Sequence, residues 1–176
     1  IDAQFPQYWC PELNRYVGGG AATTWNEYAV VSDNRLTKIG KDIPLDITVH
    51  ELFHGLDFLA ANRFLGQPSF FSSVKGSSFN ELAKISEKAL LPKIGFNRKY
   101  YEEYAKKQGN RPETIIGAEA FSNAGQFYSR VKSAEAGKSK LDPKDKAILQ
   151  EPEIQQMIAL IEKKILPIAR ALTSDL

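Results

Sequence analysis

The sequence predicts an α+β fold that is predominantly helical, with a small N-terminal β-sheet packed on one long helix and a helical C-terminal half. Three observations predict this class. Short β-forming runs occupy residues 1–40, a helical apolar pattern covers residues 42–66, and helical patterns broken by glycine and proline cover residues 78–176. A chain of 176 residues fits one domain, so we expect a sheet lobe, a central helix and a helical lobe within it.

The first forty residues contain three candidate strands, at residues 14–17, 23–32 and 36–39. Each run is rich in side chains that favour strands, and turn-forming residues separate the runs. A triple glycine at residues 18–20 follows the first run. It predicts either a plain turn or a place where another backbone, such as that of a substrate, comes close.

The central helix holds both histidines of the chain, in the H-E-x-x-H pattern of residues 50–54. Residues four apart share one face of a helix, so His50 and His54 can bind one tetrahedral zinc ion through two neutral imidazoles. Glu51 then lies beside the open coordination position, where it can accept a proton from metal-bound water. The alternative is an ordinary helix with two surface histidines beside a glutamate.

The boundaries and the buried face of this helix are also predicted. Asp42 or Asp46 can cap its first turn, and Gly66 can end it. Asp57, one turn after the second histidine, predicts either a partner for a ligand imidazole or a solvated carboxylate. An apolar face is expected along the helix at Ile47, Val49, Leu52, Leu56 and Leu59.

A zinc site on this helix requires a third ligand, for which Glu119 is the preferred candidate. Glu119 lies in a helix predicted over residues 112–136, and its small neighbours favour a close packing partner. Glutamate on a packed helix is a usual third ligand after H-E-x-x-H. Glu81 and Asp57 are the alternatives, although an S-x-x-E capping box at residues 78–81 explains Glu81 without a metal.

The helix that carries Glu119 shows two stripes. Small and aromatic residues at helical spacing predict close packing at Ala118, Phe121, Gly125 and Tyr128. Polar residues recur on another side of the helix, at Glu119, Asn123, Gln126 and Arg130. A solvated face would explain the polar stripe, whereas a partly buried zinc site would explain its first member.

Composition excludes several classes of function. The chain is 43% hydrophobic and 25% charged, and its net charge of +2 gives no electrostatic case for binding nucleic acid or membranes. No apolar run reaches the roughly 18 residues of a membrane-spanning helix. The single Cys10 cannot form an intramolecular disulfide and is expected to be a small, at least half-buried side chain.

Two motifs carry a resemblance to a known family. Residues 50–57 read H-E-x-x-H-x-x-D, and residues 119–124 read E-x-F-x-x-A. Together they resemble the gluzincin-type zinc metallopeptidases around anthrax lethal factor and the bacterial Pro-Pro endopeptidases, which are secreted toxins and proteases. The resemblance implies a zincin-like fold with Glu51 as the general base and three zinc ligands, His50, His54 and Glu119.

The sequence departs from that family's pattern at two positions. The E-x-x-x-E of the family's ligand helix is here Glu119 and Asn123. The tyrosine that the family places seven residues before its ligand glutamate is here Pro112. Tyr104 or Arg111 is therefore the candidate for stabilising the oxyanion of the reaction.

These patterns predict a zinc-dependent metalloendopeptidase that binds one Zn²⁺ ion and hydrolyses peptide bonds of a protein or peptide substrate. The resemblance implies a toxin or effector that is secreted or delivered to a host or target cell. No nucleic-acid partner and no membrane span are expected. Two alternatives stay open: a catalytically inactive zincin-like module used for binding or structure, and a zinc hydrolase acting on something other than peptides.

Overall fold

The computed structural model describes residues 45–66 and 69–173, together with the backbone of four short strands nearer the N-terminus. The strands are β1 (Tyr8–Cys10), β2 (Arg15–Val17), β3 (Val31–Asp33) and β4 (Leu36–Lys38). The helices are α1 (Leu45–Leu65), α2 (Ser78–Ile85), α3 (Arg98–Lys107), α4 (Pro112–Glu135), α5 (Pro143–Leu149), α6 (Pro152–Leu160) and α7 (Leu166–Thr173). A 3₁₀ turn at Phe71–Ser73 and two π-helical segments, Ser86–Leu90 and Ile161–Ile165, complete the described elements.

The predicted α+β class, with one small N-terminal sheet packed on the central helix, is wrong. The described part of the chain is predominantly helical and contains no such sheet. Its strands form two separate antiparallel hairpins, β1 with β2 and β3 with β4, and each strand is three residues long. Pairs this short cannot bury a face, so helix packing organises the fold. The triple glycine and most of the run at residues 23–32 lie outside the described residues.

The core lies between α1 and α4, and α2 closes one side of it. Gly125 on α4 is a point of very close approach, because a Cβ atom built there would lie 2.4 Å from the ring of Phe53 on α1. Phe53 also packs on Phe121, whose ring stacks on Phe79 with 4.6 Å between centroids. Of the predicted packing stripe of α4, Ala118, Phe121 and Gly125 are buried, and Tyr128 is partly buried against the core.

The buried face of α1 differs from the predicted apolar face. Phe53, Ala60 and Ala61 are buried, whereas Leu52 is 46% exposed. Apolar residues occur on nearly every side of α1, so the sequence pattern of this helix does not select a face. The small residues of α4 determine which face of α1 is buried, because Gly125 leaves space for the Phe53 ring.

Capping and stop residues set several helix boundaries. The side chains of Asn97 and Asp142 cap α3 and α5, and Gly66 adopts a positive φ directly after α1. One cap is shifted, because the hydroxyl oxygen of Ser77, and not that of Ser78, accepts a backbone N–H in the first turn of α2. The predicted capping box at residues 78–81 is therefore wrong by one residue.

The C-terminal segment contains a wider π-helical turn, Ile161–Ile165, between α6 and α7. Pro167 follows this turn, and proline has no N–H for the carbonyl four residues earlier, which is that of Lys163 within the turn. Among the helices of the described residues, none combines the length and the apolar character needed to cross a membrane.

Candidate metal centre

Three side chains converge between α1 and α4. The Nε2 atom of His50 lies 3.6 Å from Oε2 of Glu119, and the Nε2 atom of His54 lies 3.5 Å from Oε1 of the same carboxylate. The two imidazole rings meet edge to face with their centroids 4.8 Å apart. The potential ligand atoms of all three residues lie within 4.8 Å of one another. The structure therefore brings together the three predicted metal ligands.

The packing of the two helices explains this convergence. His50 and His54 project from α1 one turn apart and so share a face. Glu119 lies on α4 six residues before Gly125, which is about 9 Å along the helix axis from the point of closest approach. The contact between Phe53 and Gly125 therefore sets the distance between the helices close to the three side chains.

The arrangement fits a zinc ion. Ligand atoms about 2.0–2.1 Å from a tetrahedral zinc ion are about 3.4 Å from one another. The two nitrogen-to-oxygen distances in this cluster, 3.6 and 3.5 Å, are close to that value. Two imidazoles and one carboxylate also leave one coordination position open, which is the donor set of many catalytic zinc sites.

Charges in the cluster favour an anionic Glu119 beside the histidines. Burial lowers the pKa of His54, but Glu119, Glu51 and Asp57 outweigh it and raise the pKa to about 9. Burial likewise disfavours a charged Glu119, yet His54 and His50 hold the pKa of this carboxyl well below its usual range. A cation that binds here must displace a proton from His54, so its affinity should increase as the pH rises towards 9.

Glu51 lies beside the triad in the wall of a cleft. The residue is 4% exposed, and its charge contributes to the raised pKa values of His54 and Tyr101. The cleft has a volume of about 460 Å³ and is lined by residues of α1, α3 and α4 and of the loop at residues 94–97. A substrate held in this cleft would lie against both Glu51 and His50.

Tyr101, which the sequence analysis did not single out, also lies at the site. Burial raises the pKa of its hydroxyl, and the charge of Glu119, hydrogen bonding with Glu119 and the charge of Glu51 raise it further. Its ring stacks on Phe96 with 4.7 Å between centroids, and both rings line the cleft. The sequence offered one signal, a cluster of three tyrosines on α3, but packing decides which of them faces the triad.

The two residues predicted to stabilise the oxyanion are less well placed. Tyr104 lies at the edge of the site, where burial, Tyr100 and Glu119 raise the pKa of its hydroxyl. Arg111 is exposed and directly precedes α4, eight residues or about 12 Å of helix before Glu119. Tyr101 is therefore a third candidate for this role, and the assignments of Tyr104 and Arg111 stay predictions.

The alternative third ligands are engaged elsewhere. Glu81 is a surface partner of Lys164, with 3.2 Å between the charged atoms. Asp57 is fully buried, and its two carboxylate oxygens accept hydrogen bonds from the backbone N–H and the hydroxyl of Ser72, both at 2.6 Å. Asp57 is thus not solvated. It lies on α1 one turn after His54, and its hydrogen bonds with Ser72 connect the 3₁₀ turn to this helix.

The geometry of the triad and its cleft can be set beside known proteins. No protein-family model, curated protein or solved structure matches this chain. The resemblance to gluzincins therefore rests on two short motifs and stays a prediction.

We expect Ser72→Ala to destabilise the protein more at pH 7.5 than at pH 5. Burial raises the pKa of Asp57 to about 6, so its ionisation reduces stability as the pH rises from about 4 to 6. The Ser72 hydroxyl stabilises the ionised carboxylate of Asp57. Above pH 6, its removal should therefore lower the free energy of unfolding by about 1–3 kcal/mol. Urea unfolding at both pH values measures the difference.

The matched control for this prediction is Ser73→Ala in the same 3₁₀ turn. The Ser73 hydroxyl donates to the Phe70 carbonyl in an exposed position, so its removal should change stability little and equally at both pH values. An equal loss from Ser72→Ala at pH 5 and pH 7.5 would show that the hydroxyl does not support the charge of Asp57.

Proposed function

We propose that this chain is a zinc-dependent metalloendopeptidase that hydrolyses peptide bonds of a protein or peptide substrate. The observation that supports this most is the convergence of His50, His54 and Glu119 from two helices far apart in sequence. Each imidazole lies 3.5 or 3.6 Å from one oxygen of the Glu119 carboxylate, which is close to the ligand-to-ligand distance of a tetrahedral zinc site. Glu51 and Tyr101, an acceptor and a donor of protons, lie next to the same cluster.

The chain's own residues divide the chemistry of hydrolysis between them. A zinc ion held by the triad would supply Lewis-acid polarisation and a water of lowered pKa. Glu51 accepts the proton of the attacking water and transfers it to the leaving amine. Its burial keeps bulk water away and strengthens its interaction with the reacting groups.

Tyr101 is the donor for the negative charge that develops on the substrate carbonyl oxygen. Its hydroxyl keeps its proton over the whole physiological range, because burial and the charges of Glu119 and Glu51 raise its pKa. The stack on Phe96 holds the ring in place before substrate arrives. A fixed donor of this kind stabilises an oxyanion without reorganisation during the reaction.

The test of the function compares the wild-type protein with Glu51→Gln, each loaded with one equivalent of zinc. A peptide library analysed by mass spectrometry reports cleavage, and metal analysis reports zinc. We expect both proteins to retain zinc and the variant to cleave at least about 100-fold more slowly, because it lacks the general base. Zinc-loaded wild type that cleaves no peptide, or cleaves no faster than the variant, contradicts the proposal.

Tyr101→Phe should lower kcat about 100-fold or more and leave KM nearly unchanged, because the hydroxyl acts on the transition state and not on the bound substrate. Tyr104→Phe, on the same helix, is the matched control and should change kcat by less than about threefold. Steady-state kinetics on one cleaved peptide measure both. A larger loss of kcat in Tyr104→Phe than in Tyr101→Phe would assign stabilisation of the oxyanion to Tyr104.

A further inference from the structure

The polar stripe of α4 is not a solvated face. Its first member, Glu119, meets the histidines, and its last, Arg130, pairs with Asp145 at 2.9 Å. Between them, Asn123 and Gln126 line the cleft beside Glu51. The stripe therefore forms a polar seam that runs from the metal centre along the wall of the cleft, and the peptidase chemistry above does not use its two carboxamides.

The orientation of both carboxamides follows from their partners. The Nδ2 atom of Asn123 donates to the backbone carbonyl oxygen of Glu119 at 2.8 Å, and Nε2 of Gln126 donates to Oδ2 of Asp46 at 3.0 Å. A carbonyl oxygen and an ionised carboxylate can only accept hydrogen bonds. Each carboxamide must therefore turn its NH₂ group towards its partner, so its carbonyl oxygen makes no hydrogen bond with that partner and can accept one from a ligand.

Within the described residues, neither Oδ1 of Asn123 nor Oε1 of Gln126 accepts a hydrogen bond, and both residues are half-buried. A ligand that fills the cleft removes water from these oxygens, so it must supply N–H or O–H donors or leave them unsatisfied. The cleft therefore favours a ligand that carries a hydrogen-bond donor beside Asn123 and Gln126.

The remaining walls define the shape and charge of that ligand. Ile47, Ile94, Phe96 and Tyr100 give aliphatic and aromatic surface, and no lysine or arginine is among the described residues that line the cleft. The nearby charge of Arg130 is directed to Asp145 and Asp46, at 2.9 and 3.9 Å.

We propose that this cleft is a substrate subsite for a lysine or arginine side chain, with Asn123 and Gln126 as the residues that determine this specificity. The aliphatic stem would lie along the apolar and aromatic walls, and the cationic head would donate to the two carbonyl oxygens. A volume of about 460 Å³ accommodates such a side chain. The inference rests on the proposed function only in taking the occupant to be a peptide.

The test measures binding separately from cleavage. The probes are acetylated and amidated alanine hexapeptides that carry one lysine or one norleucine at each position in turn. Norleucine has an unbranched aliphatic stem like that of lysine but no side-chain N–H groups. Binding is measured by calorimetry to zinc-loaded Glu51→Gln, which does not consume the peptides. We expect at least one position at which lysine binds about tenfold more tightly than norleucine.

Two further substitutions in the same background locate the effect. Gln126→Met keeps the length of the side chain and removes its carbonyl, so the preference should fall to within about twofold. Gln155→Met on α6, where the side chain is exposed and bonds Leu149, is the matched control and should keep the preference. All proteins should bind one equivalent of zinc, which confirms that the site is folded.

The outcomes separate this inference from the proposed function. Equal binding of lysine and norleucine at every position, or a lysine preference that survives Gln126→Met, overturns the subsite. Lysine-selective binding together with a wild-type protein that cleaves none of the lysine peptides would support the subsite and remove the peptidase function.

Discussion

Glu119→Ala should abolish stoichiometric zinc binding at pH 7.5 and, with it, all zinc-dependent cleavage. The substitution removes one of the three candidate ligands and the only carboxylate among them. Loss of a residue that merely supports a ligand typically costs 10- to 100-fold in metal affinity, so loss of a ligand should cost more than about 100-fold. Competition with a chromophoric zinc chelator measures the affinity directly.

The controls for this prediction separate ligation from charge and from folding. Glu81→Ala removes the rival candidate ligand, which pairs with Lys164, and should leave zinc affinity unchanged. Glu113→Ala removes an exposed carboxylate from the first turn of the same helix and should also have no effect. Zinc bound at wild-type affinity by Glu119→Ala would show that another group completes the site.

Gly125→Ala should destabilise the protein by about 1–3 kcal/mol and weaken zinc binding at the same time. The added methyl group would lie 2.4 Å from the buried Phe53 ring, so this ring must shift away from α4. The histidines lie on the same helix as Phe53 and Glu119 lies on α4, so we expect a shift of α1 to separate the three side chains. Chemical unfolding and zinc affinity, measured on the same preparation, test both parts.

Gly117→Ala in the same helix is the matched control. Nothing lies within 4 Å of a Cβ at Gly117, so the substitution should gain about 0.5–1 kcal/mol from helix propensity alone. Phe53→Leu should recover part of the zinc affinity lost in Gly125→Ala, because the two positions share one contact. Gly125→Ala with the stability and zinc affinity of wild type would disprove the role of this contact.

The sequence was sufficient to predict the groups that act locally. The two histidines lie one helical turn apart whatever surrounds them, so their shared face follows from spacing alone. Small residues around Glu119 indicated a close neighbour, and the helices do meet there. Helix ends were predictable for the same reason, because Asn97, Asp142 and Gly66 act through local backbone geometry.

Features that depend on packing between distant elements could not be predicted. Tyr101 reaches the triad from α3, and no spacing within the chain relates α3 to α1 and α4. The choice of Phe53 over Leu52 as the buried residue depends on the gap at Gly125. The predicted sheet failed because β-forming composition does not show whether runs of residues pair into one sheet or into separate hairpins.

Zinc K-edge X-ray absorption of the protein loaded with one equivalent of zinc tests the central claim most directly. We expect a site with two imidazole ligands and oxygen ligands, at about 2.0–2.1 Å from the metal. Glu51→Gln should give the same spectrum, because Glu51 is not a ligand. Fewer than two imidazoles, a sulfur ligand at about 2.3 Å, or zinc lost on dialysis at pH 7.5 would contradict a zinc centre formed by His50, His54 and Glu119.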